Sequence, residues 1–182
     1  KKYWRYTNGG GDRNGYDINL NYDKKFKNPK QKLTSYARFS DGLNDGVNEY
    51  YNTDDGGLNY VDIDRAKNGQ DGTSKSYNFK LDYIHPFNDN SKLEVGLSSK
   101  STDRGDNQIA ELYDEATGGF TADRAFSNEF IYNETVHAAY IQYGGSLWFI
   151  GYNAGGRYET VDMMSELKTT GESFKNPYSS FY

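Results

Sequence analysis

Apolar and polar residues alternate along this chain over stretches of ten or more, and that period of two restricts its fold more than any other feature. Tyr16, Ile18, Leu20 and Tyr22 interleave with Asp17, Asn19, Asn21 and Asp23, while Tyr77, Phe79, Leu81 and Tyr83 interleave with Asn78, Lys80 and Asp82. Successive side chains of an extended backbone point to opposite faces, so the pattern predicts strands with one apolar and one polar face. The first strand is expected over Gly15 to Phe26, followed by a Pro-containing turn at Lys27 to Gln31 and a second strand over Leu33 to Ser40. A third over Lys75 to Phe87 turns through Asn88, Asp89, Asn90 and Ser91 into a fourth that carries Leu93, Val95 and Leu97. A fifth over Phe130 to Tyr143 turns at Gly144-Gly145 into a sixth over Leu147 to Glu159, and Tyr178 to Tyr182 begins a seventh.

The connections are as uneven as the strands are regular. Short turns join the strands at one end, whereas Asp41 to Ser74, Thr102 to Asn128 and Thr160 to Asn176 read as long polar loops at the other, with a short strand near Tyr60 to Ile63. Strands of about 12 residues exceed the usual 5 to 6 of soluble sheets and match the roughly 9 to 11 that a tilted strand needs to cross hydrocarbon. Short periplasmic turns and long external loops complete the signature of an antiparallel transmembrane β-barrel. Six to seven strands do not close the smallest usual membrane barrel, which takes about eight. The chain is therefore expected to be an incomplete segment of one barrel domain over residues 1–182, completed by the barrel's remaining strands or by other chains.

Composition agrees. Hydrophobic residues make up 35% of 182 residues and mean hydropathy is −0.98, low for a packed soluble core, yet aromatics reach 16% with 18 Tyr, which a disordered chain would lack. Tyr is apolar along its ring and polar at its tip, which suits a water–lipid boundary or a stacking surface. The longest apolar run is Leu147-Trp148-Phe149-Ile150, far short of a membrane helix. The start of the chain, Lys1-Lys2-Tyr3-Trp4-Arg5-Tyr6, has no apolar signal region, so an exported protein is expected to have been processed, cut or only partly seen. A net charge of −5 without clustered basic residues excludes a nucleic-acid interface, and the absence of Cys excludes disulfides and thiolate metal sites.

The two faces assign themselves on this reading. Ile18, Leu20, Phe79, Leu81, Val95, Leu97 and Ile150 are expected to meet outer-membrane lipid, with Tyr77, Tyr83, Trp148 and Tyr158 as interface girdle residues. Asp17, Asn19, Lys80, Asp82, Glu94, Arg157 and Glu159 are expected to line the lumen, where Arg157 and Glu159 begin an ion-pair lattice. A soluble all-β domain with the same alternation and its apolar face turned inward is the structural alternative.

Specific strings then resemble a known family. Gly15 to Tyr22 followed by Lys24-Lys25-Phe26-Lys27-Asn28-Pro29, together with Val136 to Tyr143, Gly155 to Glu159 and Thr169 to Phe174, resemble barrel segments of TonB-dependent receptor-like outer-membrane proteins common in Bacteroidota. The resemblance implies a closed barrel of about 22 strands with a plug inside it. It also implies a Gram-negative outer membrane and ligand import energised by an inner-membrane coupling protein through a short N-terminal box. Plug and box are not among these residues. The chain departs from the family at Gly156, where Leu is frequent; the glycine either admits a neighbouring chain or aromatic ring or reflects ordinary drift, the stronger of the two readings.

No enzyme chemistry, cofactor or metal is expected. His85 and His137 lack ligand or triad spacing, and Asp62-Ile63-Asp64 with Asn68 and Asp71 fails as a calcium loop because Ala66 stands where a ligand is needed. Arg104-Gly105-Asp106 is an adhesion tripeptide expected by chance in a loop. Tyr50, Tyr51, Tyr60, Tyr113 and Phe120 are equally suited to stack on a ligand or to pack the loops together. A ligand-importing receptor is the favoured function. The alternatives are a structural or accessory barrel subunit held by other outer-membrane subunits or lipoproteins, and a secreted carbohydrate-binding β-domain.

Overall fold

Long alternating segments joined by tight turns pair with their sequence neighbours, and the computed structural model, which describes residues 4–53 and 64–182, shows one antiparallel sheet built this way. Its strands are β1 (Trp4–Lys25), β2 (Lys32–Thr53), β3 (Asp64–Pro86), β4 (Ser91–Asp114), β5 (Gly119–Ala122), β6 (Asn128–Leu147), β7 (Ile150–Leu167), β8 (Glu172–Lys175) and β9 (Tyr178–Phe181). Among the described residues every regular element is a strand. The order is β1-β2-β3-β4-β6-β7-β8, with β5 paired to β4 and β9 to β7, so β1 forms an open edge.

The first four long strands run to 22, 22, 23 and 24 residues, about twice what crossing a bilayer requires. They continue through most of what the sequence reads as loops. Asp41 to Asn52 pairs with Asp64 to Lys75, Asp41 to Thr53 pairs with Trp4 to Tyr16, and Thr102 to Gln108 pairs with Asn128 to Glu134. The expected strand near Tyr60 to Ile63 lies outside the described residues. The loop expected over Thr160 to Asn176 is likewise a hairpin: β7 runs to Leu167, turns at 168–171, and returns as β8 and β9 along one edge. Pro177 separates those two short strands, since it has no N–H to donate.

The last tight turn also differs from expectation. Gly144 and Gly145 lie within β6, opposite Asn153 and Tyr152, and the chain reverses at Trp148-Phe149, between paired Leu147 and Ile150. Gly145 is needed where it is, because a Cβ there would stand 2.5 Å from the Asn90 carbonyl oxygen. Burial is sparse: Ala66, Ala138 and Val161 are the buried hydrophobic residues among those described, so no apolar core organises the chain.

Candidate functional site

Directly opposed residues in an antiparallel ladder share a face, so the register sorts every side chain. One face carries Ile18, Leu20, Phe39, Tyr77, Phe79, Leu81, Tyr83, Val95, Leu97, Ile141 and Tyr158. The other carries Asp17, Asn19, Arg38, Lys80, Asp82, Glu94, Tyr140, Arg157 and Glu159. All seven residues expected in a lumen thus share the polar face, and all seven expected at lipid share the other, with Ile150 at its turn end. Of the four girdle candidates, Trp148 alone leaves the strands, because it forms the β6–β7 turn.

The apolar face is not a horizontal stripe across the ladder. Tyr16 marks the far edge of its apolar run on β1, and that hydrogen-bonded row continues through Asp41, Lys75, Asp103, Asn133 and Met164. On successive strands the edge falls at Phe39, Tyr77, Leu97, Ala139 and, on β7, Tyr158, which lies six residues nearer the turns than Met164. A drift of six residues over five strand-to-strand steps corresponds to a strand tilt of about 40°, taking about 3.3 Å per residue and about 4.8 Å between strands. Transmembrane barrels tilt their strands by roughly 35–45°.

Aromatic rings border this diagonal band on both sides. At the far edge Tyr16, Phe39 and Tyr77 lie 5.6 and 4.8 Å apart. At the turn edge a chain of ring contacts 5.1 to 6.1 Å long runs Phe26, Tyr83, His85, Phe87, Tyr143, Tyr152. Tyr16 and Phe26 are ten residues apart on one extended segment, about 33 Å of strand, or about 25 Å along the normal at that tilt, the height of an outer-membrane apolar band. His85 is therefore a ring in this border, its Nδ1 3.2 Å from the Tyr83 hydroxyl. His137 lies beyond the band on the same face. Within the band the Phe181 ring covers Gly156, where a Cβ would stand 2.9 Å from it. An aromatic ring thus fills the place that the departure at Gly156 opens.

The polar face is a lattice. Arg38 Nε donates to Asp17 at 2.8 Å, Asn19 donates to the same carboxylate at 2.5 Å, and the Tyr36 hydroxyl donates to Asn19 at 3.1 Å. Lys80 pairs with Asp82 at 3.3 Å, Lys92 with Glu94, and Arg157 with Glu159 at 2.5 Å. Tyr140 reaches over Gly96 to donate to Asp82 at 2.7 Å, and a Cβ on Gly96 would collide with the Tyr140 ring. Arg38 and Tyr140 were missed as members of this lattice. The isolated Gly96 within an alternating strand is the signal that a side chain crosses there.

Beyond the band the strand extensions carry their own contacts. Arg65 pairs with Glu49 and lies 4.9 and 5.3 Å over the Tyr113 and Phe120 rings, which meet edge-on at 5.4 Å, while Tyr6 stacks on Tyr51 at 5.3 Å. Tyr50 sits beneath Arg5 at 4.8 Å, so these aromatics pack strands together; Tyr60 lies outside the described residues. Arg104, Gly105 and Asp106 are paired within β4 rather than displayed in a loop. Asn68 and Asp71 are paired within β3, while Asp62 and Ile63 lie outside the described residues. Among the described residues no three His, Asp or Glu side chains gather as a metal site.

No curated protein matches the chain. Its fold is similar to that of the ferric citrate transporter FecA in the unliganded form, at 12% identity and a TM-score of 0.54 over 95% of this chain. The chain spans about a quarter of that protein's length, covering 24% of it. Residues 24–182 match an outer-membrane protein beta-barrel family. A tilted apolar band between two aromatic borders, backed by a polar lattice, is what such a barrel requires of its wall, and the chain belongs to that family and to the outer membrane.

Proposed function

We propose that residues 1–182 are one stretch of the wall of a TonB-dependent receptor of the type common in Bacteroidota. Its external extensions bind a ligand that then passes through the lumen. On this reading the apolar face meets lipid and the polar lattice lines the lumen, and the inner-membrane coupling protein acts on parts of the protein outside this stretch. The observation that carries the reading is the pairing of an about 25 Å apolar band with a continuous charged face. Strand extensions well beyond that band, tied by Arg65 and its aromatic neighbours, supply the rigid external scaffold that ligand capture needs. The wall itself carries out no bond chemistry.

The test is the intact mass and sequence of the native polypeptide from detergent-solubilised outer membrane, with co-purifying chains identified. A much longer chain with a plug ahead of these strands, cross-linkable to an inner-membrane coupling protein, is the expected result. A short chain recovered only with other outer-membrane subunits would replace import with an accessory role.

A further inference from the structure

The tip of the β6–β7 hairpin is unlike the other two turns. Apart from Phe26 and Phe87 at their first positions, turns 26–31 and 87–90 carry Lys, Asn, Asp, Gln and Pro, whereas this one is apolar throughout, Leu147-Trp148-Phe149-Ile150. Trp148 and Phe149 are 91% and 89% exposed, and Leu147 and Ile150 are more than half exposed. Two-residue hairpin turns favour Gly, Asn or Asp at positions of positive φ. Here Trp148 itself takes φ 55°, a conformation that is a genuine outlier for a bulky residue. Strain retained at an exposed position points to a role for the side chain that occupies it.

The diagonal of the apolar band locates that role. Because the band drifts toward the turns from β1 to β7, the β6–β7 tip lies as near the band's turn edge as the other two turns do. It is also continuous with the inner aromatic border, since Tyr152 sits two residues beyond Ile150 and contacts Tyr143. We propose that Leu147-Trp148-Phe149-Ile150 inserts into the boundary between headgroups and acyl chains of the periplasmic leaflet and pins this hairpin to the membrane. The occupant is phospholipid: the tip continues the apolar band into the region where amphipathic Trp rings settle. This inference rests on the assignment of the apolar face to lipid.

The experiment uses the intact protein in phosphatidylethanolamine–phosphatidylglycerol vesicles, with Trp4 and every tryptophan but Trp148 replaced by Phe. Bromine atoms placed near the headgroup or deep in the acyl chains quench by contact. The proposal predicts blue-shifted Trp148 emission, most of it lost to shallow bromines, less to deep ones, and little to aqueous iodide. Quenching by iodide with no effect of brominated lipid would overturn it by placing the tip in water. Shielding from both would overturn it by placing the tip against protein. A second variant, Leu81→Trp in the Trp148→Phe background, separates the two failures. If deep bromines quench the emission of the Leu81→Trp variant while brominated lipid leaves that of Trp148 unchanged, the tip proposal fails alone; if neither emission is quenched, the face assignment fails with it.

Discussion

Leu81 and Asn78 lie on one strand and on opposite faces, so the same substitution at each separates the two environments. Leu81→Arg, near the middle of the band, is expected to cost roughly 2–4 kcal/mol of insertion stability, and Asn78→Arg much less, when the intact barrel is refolded into bilayers. Equal losses would reject the face assignment. On the polar face, Tyr140→Phe removes a single hydrogen bond to Asp82, which keeps Lys80, and is expected to cost about 1 kcal/mol. Gly96→Val displaces the whole Tyr140 ring and is expected to cost more than Tyr140→Phe in the same refolding assay. The half-exposed ion pairs around them are screened by solvent, so they match charge across the polar face more than they hold the sheet. Face membership was legible from alternation alone, because parity along a strand needs no partner. That Tyr140 crosses Gly96 to Asp82 was not, because it depends on a register between strands that are distant in sequence.

The strands themselves were legible only where their two faces differ in character. Between the aromatic borders one face is apolar and the other polar, so Tyr16 to Tyr22 and Tyr77 to Tyr83 alternate cleanly. Beyond Asp41, Lys75 and Thr102 the period of two is lost, and Gly, Asn and Asp enter freely although the ladder continues. Hydrogen exchange on the intact protein is therefore expected to show protection running on through residues 42–53, 65–74 and 102–112, with fast exchange at the 115–118 turn. Fast exchange throughout those spans would return them to loops. At the other end, Lys30 Nζ bridges the first and second turns by pairing with Asp89 at 2.8 Å, and holds that carboxyl below its ordinary value of 3.8. A lowered carboxylate pKa stabilises the folded state above the unfolded value and loses that effect as pH falls through the folded one. The cross-turn contact is thus expected to weaken only below pH 3.8, and Asp89→Asn to remove that acid dependence. The effect should be small and erased by salt, since both groups are largely exposed.

A sheet whose apolar band climbs by six residues over five strand-to-strand steps is not patterned as a flat layer; it matches the tilt of a membrane barrel. Fold class and location followed from strand length and asymmetric ends, and family membership agrees with them. Ligand identity has no such signature, because no periodic pattern of residues encodes it. On the proposed orientation, odd-numbered residues of β3 between Tyr77 and His85 face lipid and even-numbered ones face the lumen. The chain carries no cysteine of its own, so single cysteines bearing nitroxide labels along 77–86 of the intact, membrane-embedded protein can be compared for collision with oxygen and with a water-soluble nickel complex. Strict alternation is expected, with oxygen favoured at 77, 79, 81, 83 and 85 and nickel at 78, 80, 82, 84 and 86. Alternation of the opposite phase, or uniform access to nickel at every position, would contradict it.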